Sequence, residues 1–414
     1  MAHRAVHFGV EMPPHRHTTT TRYRITPHAS SSSHPTPTST PPDFLLCYEF
    51  TILLRSRHTR HPTANSLLED LASKLSRGGF PVHLHARGAL APEDHRLWTL
   101  STDHTLPHAP HPGQHPIKLT SPLFPFPCPP STPNLLATLP LLFSLLHFDF
   151  KPTLVPACAS HIHLVPSRGV WTLGEAKRLA CAALYFEPVL DALVPPSRRR
   201  SVSAKSNRHN RYFGRRTVAD GIQALRRHTD SFPALAARMN WCGASSATGV
   251  ALRRTADFVH AGYRWNFADL DSDRAGAGTV EFRLPPGVLD ARGAVGWAVL
   301  AGCFARLACG FELDAGVAPS LVNLGRWVRY EARNVGVPGQ WVEYLREMFV
   351  EAEGAVVGLS TRERGKGGRD AERISGEEAV RLRWEEMVGW SAGREKFRAY
   401  MRYTGRGERV SKLA

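Results

Sequence analysis

A period-two alternation of polar and apolar residues, repeated in three short segments far apart in the chain, most constrains the fold. The segments are Phe8-Gly9-Val10-Glu11, His161-Ile162-His163 and Glu281-Phe282-Arg283. Alternate residues of a strand share a face, so His161 and His163 point one way, and so do Glu281 and Arg283. Three such strands side by side would line one polar floor with carboxylate, imidazole and guanidinium. Phe282 would then face the core.

The chain has 414 residues, enough for one large domain or two ordinary ones. Its 42% hydrophobic and 21% charged content is a globular balance. The net charge of +16 implies an anionic partner (nucleotide phosphate, acidic substrate or nucleic acid) or a basic soluble surface with basic tails. The seven cysteines are odd in number, irregularly spaced and without a Cys-x-x-Cys pair. That argues against a disulfide framework or a Cys-based zinc site and for a reducing, intracellular location, expected to be cytoplasmic. Leu135 to Phe150 and Trp297 to Phe311 are apolar but short, and read as buried helices rather than membrane spans. The N-terminus lacks the apolar run of a secretory signal.

Residues 12–42 are rich in Thr, Ser, Pro and His and read as a disordered insertion after the first strand candidate. An apolar pattern resumes at Phe44 to Leu54. Ser66 with Glu69 forms a capping-box pattern for a helix over Ser66 to Leu75, with a Leu67, Leu68, Leu71, Leu75 stripe and a Gly78-Gly79 stop. Strands are expected near Phe80 to Ala86, His95 to Thr102, His115 to Ser121, Ala157 to Val165, Tyr263 to Phe267 and Gly278 to Leu284. Helices are expected near Asn134 to Leu146, Leu173 to Leu193, Val218 to His228, Val288 to Phe311, Pro319 to Tyr330 and Gln340 to Glu353. Strands in a run with irregular helices predict an α+β fold: a curved, mostly antiparallel sheet with helices packed on one face. Residues 1–350 would form the catalytic domain; 351–414 would be a charged linker, centred on 361–375, and a helical basic tail. No strand leads into a Gly-rich phosphate loop, so Rossmann and P-loop folds have no support.

Each motif has two readings. Glu11 is a ligand for a hard cation or an exposed strand-end acid. His161 and His163 are metal ligands or a solvated pair in a chain with 21 histidines. Glu281 and Arg283 grip phosphate and metal or form an intrastrand ion pair. Arg198-Arg199-Arg200 clamps phosphates or is a solvated run. With Arg208, Arg211 and Tyr212 it makes only a weak nucleic-acid patch, because aromatics are not interleaved for stacking.

The order of these motifs resembles the amidoligase family, relatives of the carboxylate–amine ligases that include glutamine synthetase and glutamate–cysteine ligase. Trp98-Thr99-Leu100 with Asp103, Ile117-Lys118-Leu119-Thr120-Ser121-Pro122, Pro195-Pro196-Ser197-Arg198-Arg199 and Tyr263 to Phe267 are similar to further family segments, so the resemblance covers roughly residues 5–311. It implies a glutamine synthetase-like fold and ATP-dependent amide-bond formation between a small-molecule or peptide carboxylate and an amine, through an acyl phosphate. It also implies Mg²⁺ and ATP as cofactors, with Glu11, His163 and Glu281 as metal ligands and His161 as an alternative ligand. Arg283 would grip the phosphoryl group and Arg199 would contact phosphate. Two positions depart from the family pattern: Pro13 and Lys118 stand where it usually carries acids. A member that keeps the fold and binds a nucleotide or a partner protein without turnover is the alternative. A metal hydrolase using His161 and His163 lacks a recognisable general-base motif.

Overall fold

The computed structural model describes residues 41–364, apart from 86–95, 107–110, 129–133, 242–261, 272–277, 311–312 and 314–318. The strands are β1 (Phe44–Ser56), β2 (Val82–Leu84), β3 (Trp98–Thr102), β4 (His115–Thr120), β5 (Phe124–Phe126), β6 (Phe150–Thr153), β7 (Ser160–Pro166), β8 (Trp265–Asn266) and β9 (Val280–Phe282). The helices are α1 (Ala64–Arg77), α2 (Leu135–Asp149), α3 (Leu173–Ala192), α4 (Pro196–Arg199), α5 (Val218–His228), α6 (Phe232–Met239), α7 (Ala291–Gly310), α8 (Leu321–Asn334) and α9 (Gly339–Arg364).

These elements form an α+β structure around one open, nine-stranded sheet of order β2-β3-β4-β1-β7-β9-β8, with β5 and β6 also paired to β1. Every described pairing between named strands is antiparallel except β2 with β3. β1 is long enough to serve two strands on each flank. β5 and then β4 lie along one side, and β7 and then β6 along the other.

The sheet has two chemically distinct faces. Phe44, Leu46, Tyr48, Phe50, Ile52 and Leu54 alternate into the core from β1. Ile117 and Leu119, Ile162 and Leu164, and Val280 and Phe282 do the same from β4, β7 and β9. Helices α1 and α7 pack directly on the sheet. Helix α7 is apolar enough to span a membrane by composition, yet it is buried against α2, α3, α8 and α9. Gly302 permits its close approach to β5, since a Cβ there would meet the Phe126 ring at 2.6 Å. The opposite face of the sheet carries Lys118, Glu49, His161, His163 and Glu281.

The Leu67, Leu68, Leu71, Leu75 stripe of α1 is buried as expected. Its cap differs: Thr63, not Ser66, accepts a hydrogen bond from the Ser66 amide, so the helix starts one turn earlier. Gly78 caps its end, and Gly79 turns the chain away with φ +83°. The reciprocal capping box occurs on α3, where Thr172 and Glu175 satisfy each other's backbone. Helix α9 continues to Arg364, so the first residues of the expected 361–375 linker are helical; no Gly or Pro interrupts the run Leu359 to Arg364. Helices α4 and α6 and strands β5 and β6 were not expected; α4 falls in the basic run Pro195 to Arg216, which reads as a loop. The six described cysteines, Cys47, Cys128, Cys158, Cys181, Cys303 and Cys309, are free.

Candidate active site

The register of the central strands builds the site. Glu49 on β1 lies opposite His161 on β7, and His163 lies opposite Glu281 on β9. Glu281 in turn lies opposite Asn266 on β8. Residues directly across a ladder share a face, so five adjacent strands present one polar row. From β4 to β8 it runs Lys118, Glu49, His161 with His163, Glu281, Asn266.

Two carboxylates converge on His161. Its Nδ1 donates to Glu49 Oε1 at 3.1 Å and lies 3.1 Å from Glu281 Oε1. Its Nε2 is buried without a hydrogen-bond partner. Glu49, His161 and Glu281 each offer a ligand atom within 4.8 Å of the other two. Nδ1 of a buried imidazole set against two carboxylates is the donor set of a divalent cation once the ion displaces its proton, so the residues present fit one.

His163 stands one step farther out. Its Nε2 is 3.9 Å from Glu49 Oε2 and 3.8 Å from Glu281 Oε1. Its Nδ1 bonds Thr279 Oγ1 at 3.2 Å, and the Thr279 hydroxyl donates to Asp269 Oδ2 at 3.1 Å. The single Thr279 proton is spent on Asp269, so the hydroxyl accepts from His163 Nδ1–H. In the neutral ring, that leaves the Nε2 lone pair facing the two carboxylates. Such an outer hydrogen bond fixes the tautomer of a metal-binding histidine.

The carboxylates are held ionised. Burial pushes Glu49 upward, but the His161 hydrogen bond and the charges of Lys118, His161 and His163 outweigh it and lower the pKa to about 2. Burial likewise opposes ionisation of Glu281, and the His161 hydrogen bond with the charges of His163, His161 and Arg283 drives it well below the ordinary carboxylate range. Glu281 Oε2 accepts from Asn266 Nδ2 at 2.9 Å. Arg283 Nη1 donates to Glu281 Oε1 at 2.6 Å, and Arg283 Nε donates to the Ser203 carbonyl at 3.2 Å. Lys118 Nζ bonds Glu49 Oε2 at 2.7 Å.

The expected residues thus have separate fates. His161, His163, Glu281 and Arg283 come together. Glu11 lies outside the described residues. Arg199 is half-buried on α4, with its carbonyl accepting from Arg264 Nη2. The arginine of that run that reaches the site's scaffold is Arg198. It is buried and donates to the carbonyls of Arg283 and Leu284 and to the hydroxyls of Ser201 and Ser203. Burial lowers its pKa to about 10. Asp103 is used locally, accepting from the Thr105 amide and hydroxyl. Ser121, at the Ser-Pro strand end, ties β4 to β1 through Tyr48: its amide donates to the Tyr48 carbonyl and its Oγ accepts from the Tyr48 amide.

Glu49 is the residue that sequence reasoning missed. The available signal was a single charged residue inside the apolar run Phe44 to Leu54, at a position out of phase with the buried Tyr48 and Phe50.

The chain belongs to the amidoligase family. A family model described as "Putative amidoligase enzyme" matches residues 68–305, more than half of the chain. The matched region holds Lys118, His161, His163, Glu281 and Arg283 and begins downstream of Glu49. This membership supports a ligase-type function. No curated protein matches the chain.

Proposed function

We propose that this chain is an ATP-dependent carboxylate–amine ligase that acts through an acyl phosphate on a glutamine synthetase-like sheet. The observation that carries the reading is the convergence of Glu49 and Glu281 on His161, with a cationic side chain bonded to each carboxylate.

Glu49, His161 and Glu281 would hold Mg²⁺, with His163 Nε2 as a further donor. A bound divalent cation would neutralise phosphate charge as the phosphoryl group moves. The chain's own residues would do the positioning. Arg283, braced by Glu281 and the Ser203 carbonyl, would direct its guanidinium at the phosphoryl oxygens. Arg198 would keep the Arg283 backbone in place through its bonds to the Arg283 and Leu284 carbonyls. Arg199 would be a more distant phosphate contact.

The reaction divides into two steps. The substrate carboxylate attacks the γ-phosphorus of ATP and ADP leaves. The amine then attacks the acyl carbon, inorganic phosphate departs, and the amine nitrogen gives up a proton. Arginine and lysine at the site favour anionic substrates, in keeping with the net charge of +16.

The test is ADP release from Mg-ATP across a panel of carboxylates and amines, with Glu281→Gln as control. Release that needs both a carboxylate and Glu281 supports the ligase reading. Nucleotide binding with no release, or equal release by Glu281→Gln, supports the non-catalytic alternative.

A further inference from the structure

Glu49 presents its two carboxylate oxygens to two different sides of the row. Oε1 faces His161 Nδ1 at 3.1 Å. Oε2 faces His163 Nε2 at 3.9 Å. Glu281 Oε1 is shared, lying 3.1 Å from the first ring and 3.8 Å from the second. The donors therefore outline two neighbouring cation positions, one on the His161 side and one on the His163 side. The first draws on Glu49 Oε1, which faces His161 rather than an ammonium, and has His163 Nε2 3.8 Å from its Glu281 oxygen. The second has a cation on both of its oxygens: Lys118 Nζ sits on Glu49 Oε2 at 2.7 Å and Arg283 Nη1 on Glu281 Oε1 at 2.6 Å.

We infer that Lys118 serves as a built-in cation in place of a second metal ion, so that the site binds one divalent cation. This inference rests on the metal-binding reading of the same site. The charge balance supports it. Glu49 and Glu281 carry two negative charges, and Lys118 and Arg283, each in direct contact with one of them, carry two positive charges. One divalent ion then leaves an excess that an anionic substrate offsets; a second ion beside the Lys118 ammonium meets like-charge repulsion at contact distance. Lys118 is also placed for this task. It rises from β4 on the polar face, opposite Thr51, and its side chain is 36% exposed against 12% for Glu49. The less exposed Glu49 carboxylate holds the ammonium on one side, and the more exposed Lys118 side chain would meet a phosphate entering from solvent. A lysine ammonium has three donors, so one bond to Glu49 leaves capacity for phosphoryl oxygens.

The experiment titrates Mn²⁺ into the full-length protein, following stoichiometry by calorimetry and metal–metal coupling by electron paramagnetic resonance. Wild type and Lys118→Arg bind one Mn²⁺, with an uncoupled signal. Lys118→Gln removes the ammonium, binds its first ion about tenfold tighter and takes up a second, giving an exchange-coupled signal. Circular dichroism on each variant shows that the sheet is intact. Two ions in wild type, or one ion at unchanged affinity in Lys118→Gln, overturns the role of Lys118 and leaves the metal reading standing. No Mn²⁺ bound by wild type removes the metal reading itself, and the inference with it.

Discussion

Glu49 lies directly across the β1–β7 ladder from His161, and the two side chains meet at 3.1 Å on the polar face of the sheet. That pairing joins the strand outside the family-matched region to the strands inside it. It makes β1 part of the site and not only its support.

Glu49→Gln and Glu11→Gln therefore separate two accounts of the floor. Glu49→Gln removes a charge between Lys118 and His161 and is expected to weaken Mn²⁺ binding at least about tenfold. Glu11→Gln reads whether a residue outside the described ones adds a donor: a comparable loss adds Glu11 to the set, and an affinity within about twofold leaves the donors to β1, β7 and β9. Calorimetric titration of both variants checks this.

Thr279 is expected to act on the metal site without touching it. Thr279→Val deletes the acceptor that orients His163 Nδ1–H. Such outer contacts are typically worth about 10- to 100-fold in metal affinity. Thr279→Ser, which keeps the hydroxyl, should restore binding. A Thr279→Val variant with wild-type affinity would remove His163 from the donor set.

Acid should erode the contribution of Glu49. Its pKa is lowered from 4.5 to about 2 in the folded chain. A carboxylate lowered in this way adds stability above its unfolded value, and that stability is lost as pH falls through the folded value. The stability difference between wild type and Glu49→Gln should therefore be fully present near pH 5 and shrink steadily from pH 4.5 toward pH 2. Scanning calorimetry of both proteins across that range measures it.

Two substitutions test the scaffold. Arg198→Met leaves the Arg283 and Leu284 carbonyls without their buried donor and is expected to cost about 2–3 kcal/mol. Gly302→Ala drives a methyl group into the Phe126 ring, which is 1% exposed and has nowhere to move. The expected cost is about 1–3 kcal/mol. Urea denaturation reads both.

The sheet and its polar face were legible because period-two alternation survives in a single sequence. His161/His163 and Glu281/Arg283 were placed on one face by that rule alone, and the β7–β9 register puts them together. Leu67, Leu68, Leu71 and Leu75 gave α1 by the helical period. The position of its cap was harder to read, because Thr63 and Ser66 are both competent caps and only the backbone decides between them. Glu49 was hidden for a related reason. It sits in a strand whose hydrophobicity reads as core, and its role depends on which strands flank β1, a non-local fact absent from local pattern. In the arginine run, Arg198 and Arg199 are chemically alike, and only the turn of α4 buries one and half-exposes the other.

The central claim is that Glu49, His161 and Glu281 together hold a divalent cation. Mn²⁺ titration of the wild type beside Glu49→Gln, His161→Ala and Glu281→Gln, read by electron paramagnetic resonance, tests it most directly. The account predicts a bound ion in wild type and loss of binding in all three variants with the fold retained. Wild-type Mn²⁺ affinity in any of the three would contradict it.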